Sequence, residues 1–155
     1  MQLPDRIVCL ANARAADSMH RSFEDVAMQW FKKNRPPEIW DEAIEWPIGD
    51  IEAAHKIREI CRSAAGSAER IGGAADRSHE KLKSEVERYE RAVKVAMEIA
   101  MKVSDGLLRD AAVRQIIGLC LKANHTRTAR TLFRAIQSKS ISQDVLKEHP
   151  SLEGE

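Results

Sequence analysis

The sequence predicts an all-α fold, an irregular helical bundle or a stack of antiparallel helical hairpins with five to seven helices. Three observations carry that expectation. Apolar residues recur at alternating steps of three and four, which is the signature of one helix face. Alanine is abundant and aromatics make up only 5% of the chain, a mix that suits close helix packing better than a β-sandwich rich in Val, Ile, Thr and Tyr. Proline and glycine cut the periodic stretches into segments of helical length.

Pro4 suits the first turn of a helix, and Val8, Ala11, Ala15, Met19, Phe23, Val26 and Trp30 continue one face from it. Ser22 with Asp25 offers a second N-cap within this stretch, so it forms one helix or two. Ile7 to Leu10 also suits a short strand. Pro36 and Pro37 end the segment, because a residue before proline is pushed out of the α region. Glu38 to Trp46 carries Ile39, Trp40, Ala43 and Ile44 on one side and predicts a short helix. Pro47 and Gly49 break it, and Asp50 caps the next.

The longest stripe runs from Ala54 through Ile57, Cys61, Ala64, Ala68, Leu82, Val86, Tyr89, Val93, Ala96 and Ala100 to Val103. Gly72 and Gly73 sit inside it, and each glycine costs a helix interior about 1 kcal/mol relative to alanine. Two helices over 50–71 and 76–104, folded back on each other, are therefore expected; one long helix is the alternative. Ser104-Asp105-Gly106 closes the second, with Gly106 suited to a left-handed cap. Leu107 to Ala123 is apolar over a broad face, which predicts a helix central to the core. Asn124-His125 turns the chain, and Thr126 caps a helix carrying Ala129, Leu132, Phe133 and Ile136. Ser142 is expected to cap a last short helix with Val145 and Leu146, and the chain is expected to fray from Pro150. The expected organisation is a single all-α domain over 1–149 and a disordered tail over 150–155.

The 155 residues carry 25 Lys and Arg against 24 Asp and Glu, a net charge of +1. No bulk charge drives this chain onto nucleic acid or a membrane. The apolar runs fall short of a membrane span, and the N-terminus lacks the long apolar stretch of a secretory signal. Cys9, Cys61 and Cys120 are odd in number, far apart and set among apolar neighbours, which points to reduced thiols and a cytoplasmic location.

Residues 85–137 resemble tetratricopeptide-type helical hairpins. One piece is Tyr89-Glu90-Arg91-Ala92-Val93 followed by Ala96 and Ile99. The other runs from Val113 through Ile117 and Cys120, turns at Asn124-His125, and continues to Ala129 and Phe133 with the Ala-x3-Phe spacing kept. Ala92 and Ala129 are 37 residues apart, against a repeat period of about 34. The repeat's Trp, Gly and Pro positions are unmatched, with Gly118 one place off. The resemblance implies a binding scaffold.

Catalytic signatures are weak. Glu52 with His55 and Asp76 with His79 share a carboxylate-x-x-His spacing, which places both groups on one helix face. Two such pairs on facing helices would make half of a di-iron bundle site; chance accounts for two such pairs in a helical chain with 24 acids. There is no Cys-x-x-Cys and no P-loop. Cys120 with His125 is a poor nucleophile pair, because an i,i+5 offset points the two apart, and Cys120 is expected in the core. No cofactor is expected.

Charge is segregated along the chain. Residues 36–54 hold six acids, among them Asp41, Glu42 and Glu45, and no base; residues 106–147 hold eight bases against Asp110 and Asp144. Arg127, Arg130 and Arg134 share a helix face. Such a face suits solvent, an acidic surface including the 36–54 segment of a second copy, or nucleic-acid phosphates. Trp30, Trp40 and Trp46 cluster in the N-terminal third, as core packing or as a partner groove. The expected function is a non-catalytic protein–protein interaction or adaptor module that self-associates. A nucleic-acid-associated regulator using the basic face comes second, and a carboxylate/His metal enzyme third.

Overall fold

The stripe over residues 50–104 resolves into two helices, α1 (Asp50–Gly72) and α2 (His79–Ala100), with the break at the paired glycines. They are followed by α3 (Gly106–Lys122), α4 (Thr126–Arg134) and α5 (Lys139–Glu148). The computed structural model describes residues 36–73 and 79–154, and of His79 and Lys81 only the backbone. The segment read as helical from Val8 to Trp30, Cys9 and Asp76 lie outside the described residues. Contacts divide the chain at Pro37 into two units, and every described element belongs to the unit Glu38–Glu155. The division falls at the proline pair, where a helix cannot continue. Among the described residues the fold is all-α, with no strand.

Helix α1 buries Ala53, Ile57, Ile60, Cys61, Ala64, Ser67 and Ala68, a three-four stripe on one face. Asp50 and Glu52 in its first turn and Arg70 in its last complement the helix dipole. Helix α2 presents Tyr89, Ala92, Ala96, Ile99 and Ala100 to the core. The alanines let these helices approach closely, and the isoleucines supply most of the apolar burial. Ile57, Ile60, Ile99, Ile116 and Ile117 are all at most 1% exposed, each contributing about 1.5–3 kcal/mol relative to an exposed side chain.

The broad apolar face of α3 makes it the centre, as expected: it packs against α1, α2, α4 and α5. Helices α1 and α3 run in the same direction. The Asp50 carboxylate at the start of α1 accepts from Ser104 N (3.0 Å), Ser104 Oγ (2.6 Å) and Asp105 N (2.8 Å) just before α3. At the other end the last residue of α1, Gly72, lies against the last residue of α3: a Cβ built on Gly72 would fall 2.2 Å from the Lys122 carbonyl oxygen. Only a glycine permits that approach.

Several local expectations change. The helix expected over Glu38–Trp46 shrinks to a 3-10 turn at Ile39–Asp41, because Glu42 is already extended (ψ 134) and the chain then runs to the Trp46–Pro47 bond. Gly106 is not a left-handed cap; it opens α3, whose N-cap is Asp105, accepting from Leu108 N at 2.8 Å. The left-handed residue is Asn124, at φ 61. It ends α3 with Asn124 N bonded to Leu121 O (3.0 Å) and His125 N to Cys120 O (2.9 Å), the Schellman pattern with asparagine in place of glycine. Helix α5 starts one turn earlier than expected, after Ser138 rather than at Ser142. Within the stretch expected to fray from Pro150, Pro150–Leu152 forms a 3-10 turn, and Leu152 is buried against the core.

Candidate functional site

A groove of about 660 Å³ lies between α1, α3 and α5. One rim is Arg58 and Arg62, a turn apart on α1. The other is Arg114 and Lys122 on α3, with Gly118 midway between them. Cys61, Ala65 and Ile117 lie between the rims, and Val145, Glu148 and His149 close the side. Four cations thus face one carboxylate.

The side wall is held by a buried acid. Asp110 is 2% exposed, and its Oδ2 accepts from the backbone N–H of Gln137 (2.9 Å) and Ser138 (2.7 Å). It caps the start of α5 from within α3 and fixes where that helix stands. The far end of α5 is tied by Arg114, which reaches Glu148 at 2.5 Å and Asp144 at 3.9 Å. On the other side Lys122 pairs with Glu69 at 2.5 Å; the hydrogen bond from Lys122, then its charge, holds the Glu69 carboxyl below its ordinary range.

Arg58 and Arg62 are different. Both are exposed, and neither has an ion pair or hydrogen bond among the described residues. Like charges at i,i+4 on a helix are destabilising by a few tenths of a kcal/mol. Among the described residues no group compensates these two guanidinium groups beside the groove.

Beneath the groove lies a buried polar cluster. Burial raises the Cys61 thiol to about 12, with a further contribution from nearby Cys120. Burial also raises Cys120, against a hydrogen bond from Tyr89 that lowers it. The Tyr89 hydroxyl is raised by burial first, then by that bond to Cys120. The His125 ring meets Tyr89 edge-on at 5.0 Å between centroids. His125 therefore packs on the tyrosine and does not serve Cys120 as a base. Neutral thiols of this kind are structural.

The residues singled out in the sequence do not converge. On α4, Arg127 and Arg134 are exposed, whereas Arg130 is half-buried and donates to the Ser151 carbonyl at 3.1 Å. The basic face thus serves in part to hold the C-terminal turn. The acidic segment is spent within the chain: Asp41 pairs with Arg91, Glu42 with Lys56 at 3.3 Å, and Glu38 with Arg88 at 2.8 Å. Glu45 is exposed. Trp40 is 5% exposed and seats this segment on α1 and α2, with the Arg88 guanidinium 5.9 Å from its ring; it is core, not a partner groove. Trp46 is 41% exposed, under the Lys102 ammonium at 3.9 Å. Trp30 lies outside the described residues.

Of the metal candidates, Glu52 and His55 are exposed on α1, and His55 Nδ1 lies 3.7 Å from Glu59. Asp76 and the His79 side chain lie outside the described residues. Among the described residues no group of three or more His, Cys, Asp or Glu side chains is placed to hold a metal ion, and no helix is long and apolar enough to cross a membrane.

Comparison with known protein families, curated proteins and solved structures finds no match. The tetratricopeptide resemblance of residues 85–137 accordingly rests on residue spacing alone.

The groove residues Arg58, Arg62, Arg114 and Gly118 went unremarked as a site in the sequence. Their signal is present: Arg58 and Arg62 are i,i+4, and Arg114, Gly118 and Lys122 repeat every fourth residue. Charge summed along segments hides it, because Glu59 and Glu69 neutralise the α1 count.

Proposed function

We propose that this chain is a non-catalytic protein-interaction module that takes an acidic segment of a partner protein into the α1–α3–α5 groove. The observation that supports this is that Arg58 and Arg62 have no ion pair or hydrogen bond among the described residues and line a concavity whose other cations, Arg114 and Lys122, are already paired within the chain. Paired surface charges contribute little to recognition, whereas an unmatched cationic rim steers and orients an acidic partner. The groove is lined by no Phe, Trp or Tyr, and stacking platforms of that kind are what single-stranded nucleic acids use. Helix α4, with Arg130 tied to Ser151, is a poorer phosphate grip than its sequence suggested.

A labelled polyglutamate peptide titrated into the protein tests this by fluorescence anisotropy. Binding at low salt is expected, weakened strongly in 0.5 M salt and abolished by Arg58→Glu with Arg62→Glu. Unchanged binding by that variant would remove the groove from consideration. Stronger binding of a single-stranded oligonucleotide through Arg127 and Arg134 would move the function to the regulatory alternative.

Self-association is a second reading, favoured by a separate feature. Ile51, Met101 and Leu107 are 79%, 74% and 60% exposed, and each lies within three residues of the Asp50–Ser104–Asp105 clamp. One end of the bundle is therefore apolar and open to a second copy. With Asp41 and Glu42 already paired, such a dimer rests on apolar contact and survives 0.5 M salt. Light scattering showing a monomer at all salt concentrations ends this second reading.

A further inference from the structure

We infer that the groove is partly self-inhibited: Glu148 and Glu69, two of the chain's own carboxylates, occupy Arg114 and Lys122 in place of an acidic ligand. This rests on the groove being the binding surface, and adds how its affinity is held down.

The four cations of the groove fall into two states. Arg58 and Arg62 are exposed and have no ion pair or hydrogen bond among the described residues. Arg114 and Lys122 each hold a carboxylate at 2.5 Å. Glu148 itself lines the groove. Asp144, one turn earlier on α5, lies 3.9 Å from the same guanidinium. A ligand carboxylate that enters at Arg58 and Arg62 therefore meets, across the groove, two cations whose partners are already supplied from within.

These pairs are not the main hold on the helices they join. Helix α5 is seated by Val145, fully buried, by Ile141 at 9% exposure, and by the Asp110 carboxylate at its start. Near Lys122, α1 and α3 are already brought together by the close approach at Gly72. The ion pairs, by contrast, are solvated: the Glu148 side chain is 52% exposed and that of Glu69 60%. Pairs of this kind contribute little to stability, because water and salt screen them and two long side chains must be held in one geometry. The same weakness makes them exchangeable. A competing carboxylate has only the small energy of the internal pair to overcome, so each pair lowers the affinity by about twofold to fivefold.

Labelled polyglutamate titrated by fluorescence anisotropy tests this in about 0.1 M salt, where exposed charges more than about 10 Å apart are largely screened. Asp144→Asn with Glu148→Gln frees Arg114; the first change is needed because Asp144 can take over the guanidinium. This variant is expected to bind about twofold to fivefold more tightly than wild type, and Arg114→Gln added to it is expected to remove the gain. Glu69→Gln frees Lys122 without touching α5, so it keeps the test valid if the changes on α5 disturb packing. A gain of similar size is expected there, removed by Lys122→Gln. Glu87→Gln with Glu98→Gln takes two charges from α2, which does not line the groove, and is expected to leave binding unchanged. An equal gain in that control would mean that net charge alone is felt, and overturns the self-inhibition. So does a fall in unfolding temperature with no gain in affinity, which makes the pairs purely structural. Wild-type binding that Arg58→Glu with Arg62→Glu abolishes, without a gain in either freed variant, overturns this inference and leaves the groove standing. Binding insensitive to Arg58 and Arg62, or absent in every variant, overturns both.

Discussion

The seam between α1 and α3 is pinned at its two ends and open in its middle, and two glycines mark the difference. At Gly72 the chain's own backbone fills the space that a side chain would need, 2.2 Å from the Lys122 carbonyl oxygen. At Gly118 nothing lies within 4 Å of a Cβ. Gly72 is a requirement of folding. Gly118 costs helix stability and returns nothing to the fold that offsets the cost. The same contrast holds for charge. At the pinned ends two carboxylates have their donors: Asp50 those of Ser104 and Asp105, Glu69 that of Lys122. In the open stretch Arg58 and Arg62 have no acceptor among the described residues.

Four substitutions sharpen or break this comparison. The largest effect is expected at Asp110, which holds the wall beside the open stretch. Asp110→Ala leaves two backbone N–H groups at the start of α5 without their acceptor and is expected to cost about 2–4 kcal/mol in urea denaturation; a loss under 0.5 kcal/mol would mean that α5 needs no such anchor. Gly72→Ala is next, at about 1–3 kcal/mol, because backbone must move to admit the methyl group. Gly118→Ala carries the opposite sign, a gain of about 0.5–1 kcal/mol from helix propensity. Destabilisation there would show that the middle of the seam is closed too.

The smallest effect is the pH dependence of the Asp50 clamp. The Ser104 hydroxyl, then the Ser104 and Asp105 N–H groups, hold the Asp50 carboxyl below its ordinary value. As pH falls, the unfolded chain takes up this proton before the folded one does. The clamp's contribution is therefore complete above the ordinary carboxylate pKa of about 4 and disappears as pH drops through the depressed folded value. Wild type and Asp50→Asn are expected to differ in unfolding temperature at pH 7 and to converge near pH 2; a constant difference across that range would remove the carboxylate's charge as the cause.

The helices were legible in the sequence because burial imposes a period. Ile57, Cys61, Ala64 and Ala68 are spaced by the geometry that packs them, and Gly72-Gly73 stands where α1 ends. The short elements were not. Residues 38–46 carry an apolar side that suits a helix, yet only Trp40 is fully buried, with Ile39 and Ile44 packed partly buried beside the core, and one buried anchor is satisfied by a single 3-10 turn. Ser138 and Ser142 are both plausible caps; the choice between them is made by Asp110, 28 residues away from Ser138. The groove failed for the same reason. Its rims come from residues 58–62 and 114–122, and only the parallel course of α1 and α3 puts them side by side. Conversely, Asp41 and Glu42 looked available because Arg91 and Lys56 are distant along the chain. Summed charge reports composition of segments, whereas recognition depends on which charges the fold leaves unmatched.

The thiol in the floor of the groove has a practical consequence. Cys61 is 7% exposed, and with its titration pushed up to about 12 it is almost wholly protonated at neutral pH, so alkylating reagents meet an inert group while the helices stay closed. Displacement of α5 would bring solvent to it and lower that barrier. Peptide-mapped labelling of this one cysteine thus times the opening of the wall in the native chain, without any foreign probe attached.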